Sequence, residues 1–435
     1  MSESGTEPFG QASAFVTQFR LVVDGAERPF VSSSDRAVLG THESCDVVLG
    51  DRTVSRFHCE ITVREGRARV RDLDSKNGTL VDGVSVLESF LHDGARLTLG
   101  QTTMRFHIGG GEVAIPLSRT SQFGLLVGRS AEMRHVFALL EQAAQSKATL
   151  LLEGETGTGK EAAAESVHRL SSRREQPFVV VDCSALPPDL LESELFGHEK
   201  GAFTGASARR VGAFEAAHGG TVFLDEVGEL GPELQPKLLR VLERGELKRV
   251  GSDRYKQIDT RIIAATHRNL RSDVNAKRFR SDLYYRLSVL PIELPALRSH
   301  LEDVPALVTF YVDQFNREFR KSVRGASAAA LKAMQHYGWP GNIRELRNAV
   351  ERAMLLSDGP WLEPADFPAL TGAAPIAAGL SLPAEGVNLE ELERSLVVQA
   401  LERSGGNQTR AATMLGLNRD QIRYRIEKFG LAKTT

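Results

Sequence analysis

The sequence predicts three folded units in series: an all-β sandwich, an α/β domain capped by a helical lid, and a small all-α helix-turn-helix. Three observations carry this. Short alternating apolar segments such as FVTQFRLVV, HCEITV and RLTLG, broken by Gly, Asp and Asn turns, fill the N-terminal part. Apolar strands TLLLEG, FVVVD, TVFLDE and RIIAAT then alternate with helical patterns, as in a parallel sheet flanked by helices. A Pro-, Ala- and Gly-rich stretch finally isolates a helical tail.

At 435 residues the chain exceeds what a single core usually serves. A hydrophobic fraction of 41% with 25% charged residues excludes wholesale disorder, and a net charge of -2 excludes a uniformly basic nucleic-acid coat. Cys45, Cys59 and Cys183 are widely spaced and odd in number, which suggests neither a disulfide framework nor a zinc site and fits a reducing cytoplasm. The N-terminus MSESGTEPFG lacks a basic-then-apolar leader, and no run of about 18 apolar residues occurs, so neither export nor membrane insertion is expected.

The sandwich is expected over 15–108, followed by a linker over 109–123 that opens with three glycines. The second unit spans 124–362, its α/β part running to about 294 and a lid of helical periodicity following. A second linker covers 363–387, and 388–435 form the tail unit.

Within LLLEGETGTGKE, Gly154, Gly157, Gly159 and Lys160 form a G-x-x-x-x-G-K turn directly after a strand and before a helix. Such a loop wraps phosphates in backbone N–H groups at a helix N-terminus, and its lysine reaches the outer phosphates. The nucleotide would therefore lie on Gly154, Glu155, Thr156, Gly157, Thr158, Gly159, Lys160 and Glu161. Glu161 stands where many such loops carry a magnesium-binding hydroxyl, which leaves more of the metal's coordination to Asp225. Asp225 and Glu226 end the strand TVFLDE at the same sheet edge; Asp225 would act on Mg2+ and Glu226 on the attacking water.

At this point the residues resemble a family. Leu125 to about Leu356 is similar to the AAA+ ATPase domain of sigma-54-dependent transcriptional activators, and the most specific match is ESELFGHEKGAFTGA, with Gly201, Ala202, Phe203, Thr204, Gly205 and Ala206 as the unaltered signature loop. The resemblance implies that this loop contacts sigma-54 RNA polymerase holoenzyme, that ATP is the fuel, and that the subunits assemble from dimers into a ring, with a hexamer expected. It further implies Thr266 and His267 at the first sensor position, Arg280 and Arg286 as arginine fingers, and Arg344 as the second sensor. Asp182 stands where the family commonly has an Asn coupling nucleotide state to the loop.

The tail segment GGNQTRAATMLGLNRDQIRYRIEKFG reads as helix, tight turn, helix, with Ile422, Ile426 and Phe429 facing inward. From residue 407 onward it carries six Lys or Arg against two Asp or Glu. It resembles the Fis-type helix-turn-helix, which implies enhancer DNA as a partner and Asn407, Gln408, Thr409, Arg410, Arg419, Gln421, Arg423 and Arg425 as contacts. The N-terminal segments LGTHESCDVVLGDRTVSRFHCEI and RDLDSKNGTLVDG resemble the forkhead-associated domain, a phosphothreonine-recognition module. Ser55 and Arg56 would meet phosphate, Asn77 the peptide backbone of a phosphothreonine protein partner, and His58 would brace the loops. Thr41 replaces the arginine usual in that family, so a sandwich serving only docking or oligomerisation is the alternative. For the whole chain, the alternatives to an ATP-driven activator are a DNA-binding scaffold without hydrolysis and an ATPase that remodels some other protein.

Overall fold

The computed structural model describes residues 13–26, 28–64, 66–203, 206–371, 389–404, 407–408, 411–412 and 419–429. Two units separate, one up to Thr371 and one from Gly372 onward.

The first unit opens with a sandwich of a six-stranded and a five-stranded sheet. Alternating residues of the two inner faces, among them Phe19, Leu39, Ile61, Val70, Leu97 and Phe106, close one apolar core. Its first strand, Ser13–Val23, pairs antiparallel with a last strand, Thr102–Pro116, from Ser13 opposite Pro116 to Val23 opposite Met104. The stretch from 109 that was expected to begin a linker is therefore strand as far as Pro116. The register shifts between Thr17 and Phe19, and opposite that shift Gly109 and Gly111 adopt φ of 102° and 134°. The glycines make a bulge in a continuing strand, where their sequence suggests a break.

The α/β part has a five-stranded sheet in which Leu150–Glu153 lies between Arg261–Thr266 and Leu290–Glu293, both parallel to it. Arg261–Thr266 is buried throughout, as a strand covered on both faces must be, which explains its unbroken apolar run. Thr221–Asp225 comes next, then Phe178–Asp182 at the edge, with Asp182 level with Asp225. Strand order thus brings the glycine-rich loop and the carboxylates to one carboxyl edge of the sheet.

Helices Val304–Phe319, Ala328–His336 and Asn342–Leu356 build the lid around Trp339, Phe315 and Leu346. Leu362 and Phe367 are buried in the same core, and short 3-10 turns continue to Thr371, so the lid extends past the expected boundary at 362. Two buried apolar anchors outweigh the local proline content there.

In the second unit, helices Leu389–Arg403 and Arg419–Lys428 enclose Val397, Ala400, Ala411, Ala412, Ile422 and Ile426. The three cysteines are free and buried, and no helix among the described residues is long and apolar enough to cross a membrane.

Candidate functional site

The glycine-rich loop is held open by its backbone. Gly154, Gly157 and Gly159 have φ of 148°, 85° and 96°, and a Cβ on Gly157 would fall 2.4 Å from the Gly341 carbonyl of the lid. Lys160 begins the helix Lys160–Arg169, and its Nζ donates to the Gly154 and Glu155 carbonyls at 2.8 and 3.0 Å. A cavity of about 220 Å³ opens here between sheet edge and lid, lined among others by Gly157, Lys160, Asp225, Glu226 and Arg344.

Charge in this cavity is balanced by opposition. Burial lowers the Lys160 pKa, while burial followed by the Glu226 charge raises that of Asp225. Two carboxylates on one wall, one of them resisting ionisation, suit a divalent cation that removes the mutual repulsion. Carboxylate oxygens of this kind are the donors magnesium takes, one or two of them together with phosphate oxygens.

Several predicted residues face elsewhere. Glu155 turns to Arg298, 2.5 to 2.7 Å away, and to Asn342 Nδ2 at 3.1 Å, joining the loop to the lid. Thr158 is buried, its hydroxyl donating to the Glu155 carbonyl at 2.9 Å. Thr266 is fully buried and accepts from Arg268 N at 3.0 Å, away from the cavity wall. Asp182 Oδ1 accepts from both the N–H and the hydroxyl of Ser184. Thr156 and Glu161 line the cavity.

Two further residues belong to this group: His267, expected beside Thr266 at the first sensor position, and Asn342, given no site role from the sequence. His267 Nδ1 donates to Glu226 Oε2 at 2.6 Å, and the His267 N–H meets the same oxygen at 3.1 Å. Glu226 itself sits at φ 51°, a left-handed backbone that aims its carboxylate at this partner. Asn342, fully buried, donates to Glu155 and to the Thr156 carbonyl and accepts from Leu297 N. Its neighbours in WPGNIREL were the only available signal.

From Asp182 the chain runs through helix Pro188–Phe196 into the signature loop. Phe203 is 40% exposed and meets the His198 ring edge-on at 5.0 Å. Gly201 N donates to the Ala206 carbonyl at 2.8 Å, closing the loop's base, and Ala202 packs under Gly251. Thr204 and Gly205 lie outside the described residues. Arg280 pairs with Asp282 at 2.7 Å and Arg286 is exposed; neither lines the cavity of its own chain.

In the sandwich, Ser55 accepts from Lys76 N at 2.9 Å and Asn77 donates to the Thr53 carbonyl at 2.6 Å, gathering the predicted recognition residues on adjacent loops. His58 is fully buried, accepting from Ser55 N and bonding the Gly78 carbonyl, which fixes it as a neutral brace. A Cβ on Gly40 would fall 2.0 Å from the Arg56 carbonyl, so that close approach requires glycine. In the tail, Gln408, Gln421 and Arg423 are exposed, as is Asn407. Arg425, expected to face outward, is half-buried because its Nε binds Glu393 at 2.7 Å. Thr409 and Arg410 lie outside the described residues, and Arg419 is described only as the first residue of its helix.

Family models match in the order of the fold: FHA domain over 37–100, sigma-54 interaction domain over 126–293, AAA+ ATPase lid domain over 298–377, and bacterial regulatory protein, Fis family, over 388–429. The chain is 47% identical over 313 residues to the transcriptional regulatory protein ZraR of Escherichia coli, covering 72% of this chain and 70% of that one. It is 46% identical over 321 residues to the transcriptional regulatory protein XylR of Pseudomonas putida, covering 69% and 56%. Among solved structures, NtrX from Brucella abortus in complex with ATP is 36% identical with a TM-score of 0.54, covering 71% and 69%. These matches, spanning all three folded units, place the chain in the family of sigma-54-dependent transcriptional regulators.

Proposed function

We propose that this regulator hydrolyses ATP in a ring and uses the energy to remodel sigma-54 polymerase through the Gly201–Ala206 loop while its tail holds enhancer DNA. The observation that carries the reading is continuity: the strand ending at Asp182, level with Asp225, leads through one helix into a loop that exposes Phe203.

In this reading the N–H groups from Gly154 to Lys160 and the Lys160 ammonium bind the phosphates. Bound at Asp225, magnesium supplies charge neutralisation for the phosphates. Glu226 orients and accepts a proton from the attacking water, and His267 fixes one of its oxygens so that the other faces the water. Arg344 reaches the nucleotide from the lid. Arg280 and Arg286 act on a neighbouring subunit's nucleotide, where they stabilise charge developing in transfer. The exposed Arg423 and Gln421 face DNA. The sandwich regulates assembly and takes a phosphothreonine segment through Ser55, Arg56 and Asn77.

The deciding experiment separates motor from scaffold. Phe203→Ala in the full chain should retain ATP turnover within about twofold and lose open-complex formation on a sigma-54 promoter, whereas Lys160→Ala should lose both. Open complexes formed by Lys160→Ala would overturn the motor reading.

A further inference from the structure

The sandwich does not hang free of the ATPase. Val38, Cys45, Phe57 and Leu73 of the sandwich belong to the apolar cluster of the α/β domain and not to the sandwich's own. Phe57 is 1% exposed and meets the Tyr284 ring edge-on at 5.5 Å. His42 stacks on Tyr285 with ring centroids 4.1 Å apart. Asn275 Nδ2 donates to the Phe57 and Leu73 carbonyls, and Arg36 Nη1 reaches Glu293 at 3.0 Å. Arg56 Nη1 donates to the Ser281 hydroxyl at 3.2 Å.

Both sides of this contact are surfaces with another use. On the sandwich it includes Arg56 and the loop that begins at Thr41, the expected phosphate-binding rim. On the ATPase it is helix Ser281–Leu287, which follows Arg280 directly and carries Arg286. A neighbouring subunit receiving Arg280 at its nucleotide must pack on the surface around Ser281, where the sandwich already lies.

We propose that the phosphopeptide-recognition rim of the sandwich docks on the finger-bearing helix of its own chain, so that docking, ring assembly and phosphothreonine binding compete for one surface. The proposal rests on the ring and phosphothreonine readings above and adds how they are coupled. A phosphothreonine that takes Arg56 from Ser281 removes one anchor of the docked state, and the released helix is free to meet its neighbour. The Tyr285 hydroxyl, beside Ser44, is buried there without a hydrogen bond of normal geometry, a cost the docked state carries and the released state does not.

The test uses the full chain and two undocking variants, His42→Ala on the sandwich and Asn275→Ala beneath it, each checked for an unchanged melting profile. ATP turnover and sedimentation are followed against protein concentration. Both variants should assemble at about tenfold lower concentration than wild type, and helix Ser281–Leu287 should exchange its amide hydrogens faster at low concentration. A degenerate phosphothreonine peptide pool should shift wild type in the same direction, its unphosphorylated counterpart should not, and the variants should respond weakly. Steep concentration dependence with identical midpoints in wild type and both variants would overturn docking while leaving the ring intact. A shift in the variants with no response of wild type to the peptides would overturn the competition. Turnover proportional to concentration throughout, in every variant, would overturn the ring and the coupling together.

Discussion

At the residue scale, the proposed nucleotide site depends on side chains whose partners are not their sequence neighbours. Glu155 is the clearest case. The Arg298 guanidinium holds its carboxyl down at about 2, so the pairing of loop and lid is complete above the ordinary carboxylate range of about 4.3 and is lost only as pH falls from there toward about 2. Both groups are half exposed, so the pair acts on geometry more than on global stability. In Arg298→Ala, Glu155 should titrate near its ordinary value, read by carboxyl NMR, and ATP affinity should become sensitive to pH between 4 and 5. His267 acts in the same way on Glu226. His267→Ala removes the ring donor and leaves only the backbone N–H on the carboxylate proposed to orient water, and turnover should fall about tenfold with little change in KM. A change confined to KM would assign His267 to substrate binding instead.

At the element scale, the reach of sequence reasoning follows from what sets each boundary. The glycine-rich loop, the strand ending in Asp225 and Glu226, and the lid were legible because local spacing dictates them: a buried strand, a turn needing positive φ, a helix start. Gly109 to Pro116 misled because a bulge and a linker share glycines, and only the distant partner strand Ser13–Val23 decides between them. The lid's extension to Phe367 was hidden for a similar reason, since burial of one aromatic in a remote core is invisible beside several prolines. Thr266 and Glu155 sit at legible positions, yet Thr266 turns its hydroxyl to the backbone N–H of Arg268 two residues on, and Glu155 turns to Arg298 of another element. Helix Arg419–Lys428 carries the same distinction into a prediction. Arg423 is exposed and Arg425 is tied to Glu393. Arg423→Ala should weaken DNA binding and reduce the slope of log affinity against log salt by about one, at unchanged stability. Arg425→Ala should instead lower the stability of the helical tail by about 1 kcal/mol in denaturant unfolding.

At the scale of the whole molecule, the separation of Lys160 from Arg280 becomes a statement about assembly. The cavity is lined by Lys160, Asp225, Glu226 and Arg344 of one chain, while Arg280 of that chain lies outside it, bound to Asp282. If Arg280 completes a neighbour's site, each active site spans two subunits and two different lesions can compensate. Lys160→Ala chains have no working site but still present Arg280; Arg280→Ala chains keep the phosphate loop but cannot complete a neighbour. Either variant alone should be inactive. In an equal mixture, an intact loop meets an intact finger at about one boundary in four, so turnover should return to about a quarter of the wild-type rate per subunit. The return should require protein concentrations at which rings form, because isolated chains of either kind hold only half of a site. A mixture as silent as its components would mean that Arg280 serves its own chain, and hydrolysis would then have no structural reason to depend on a ring.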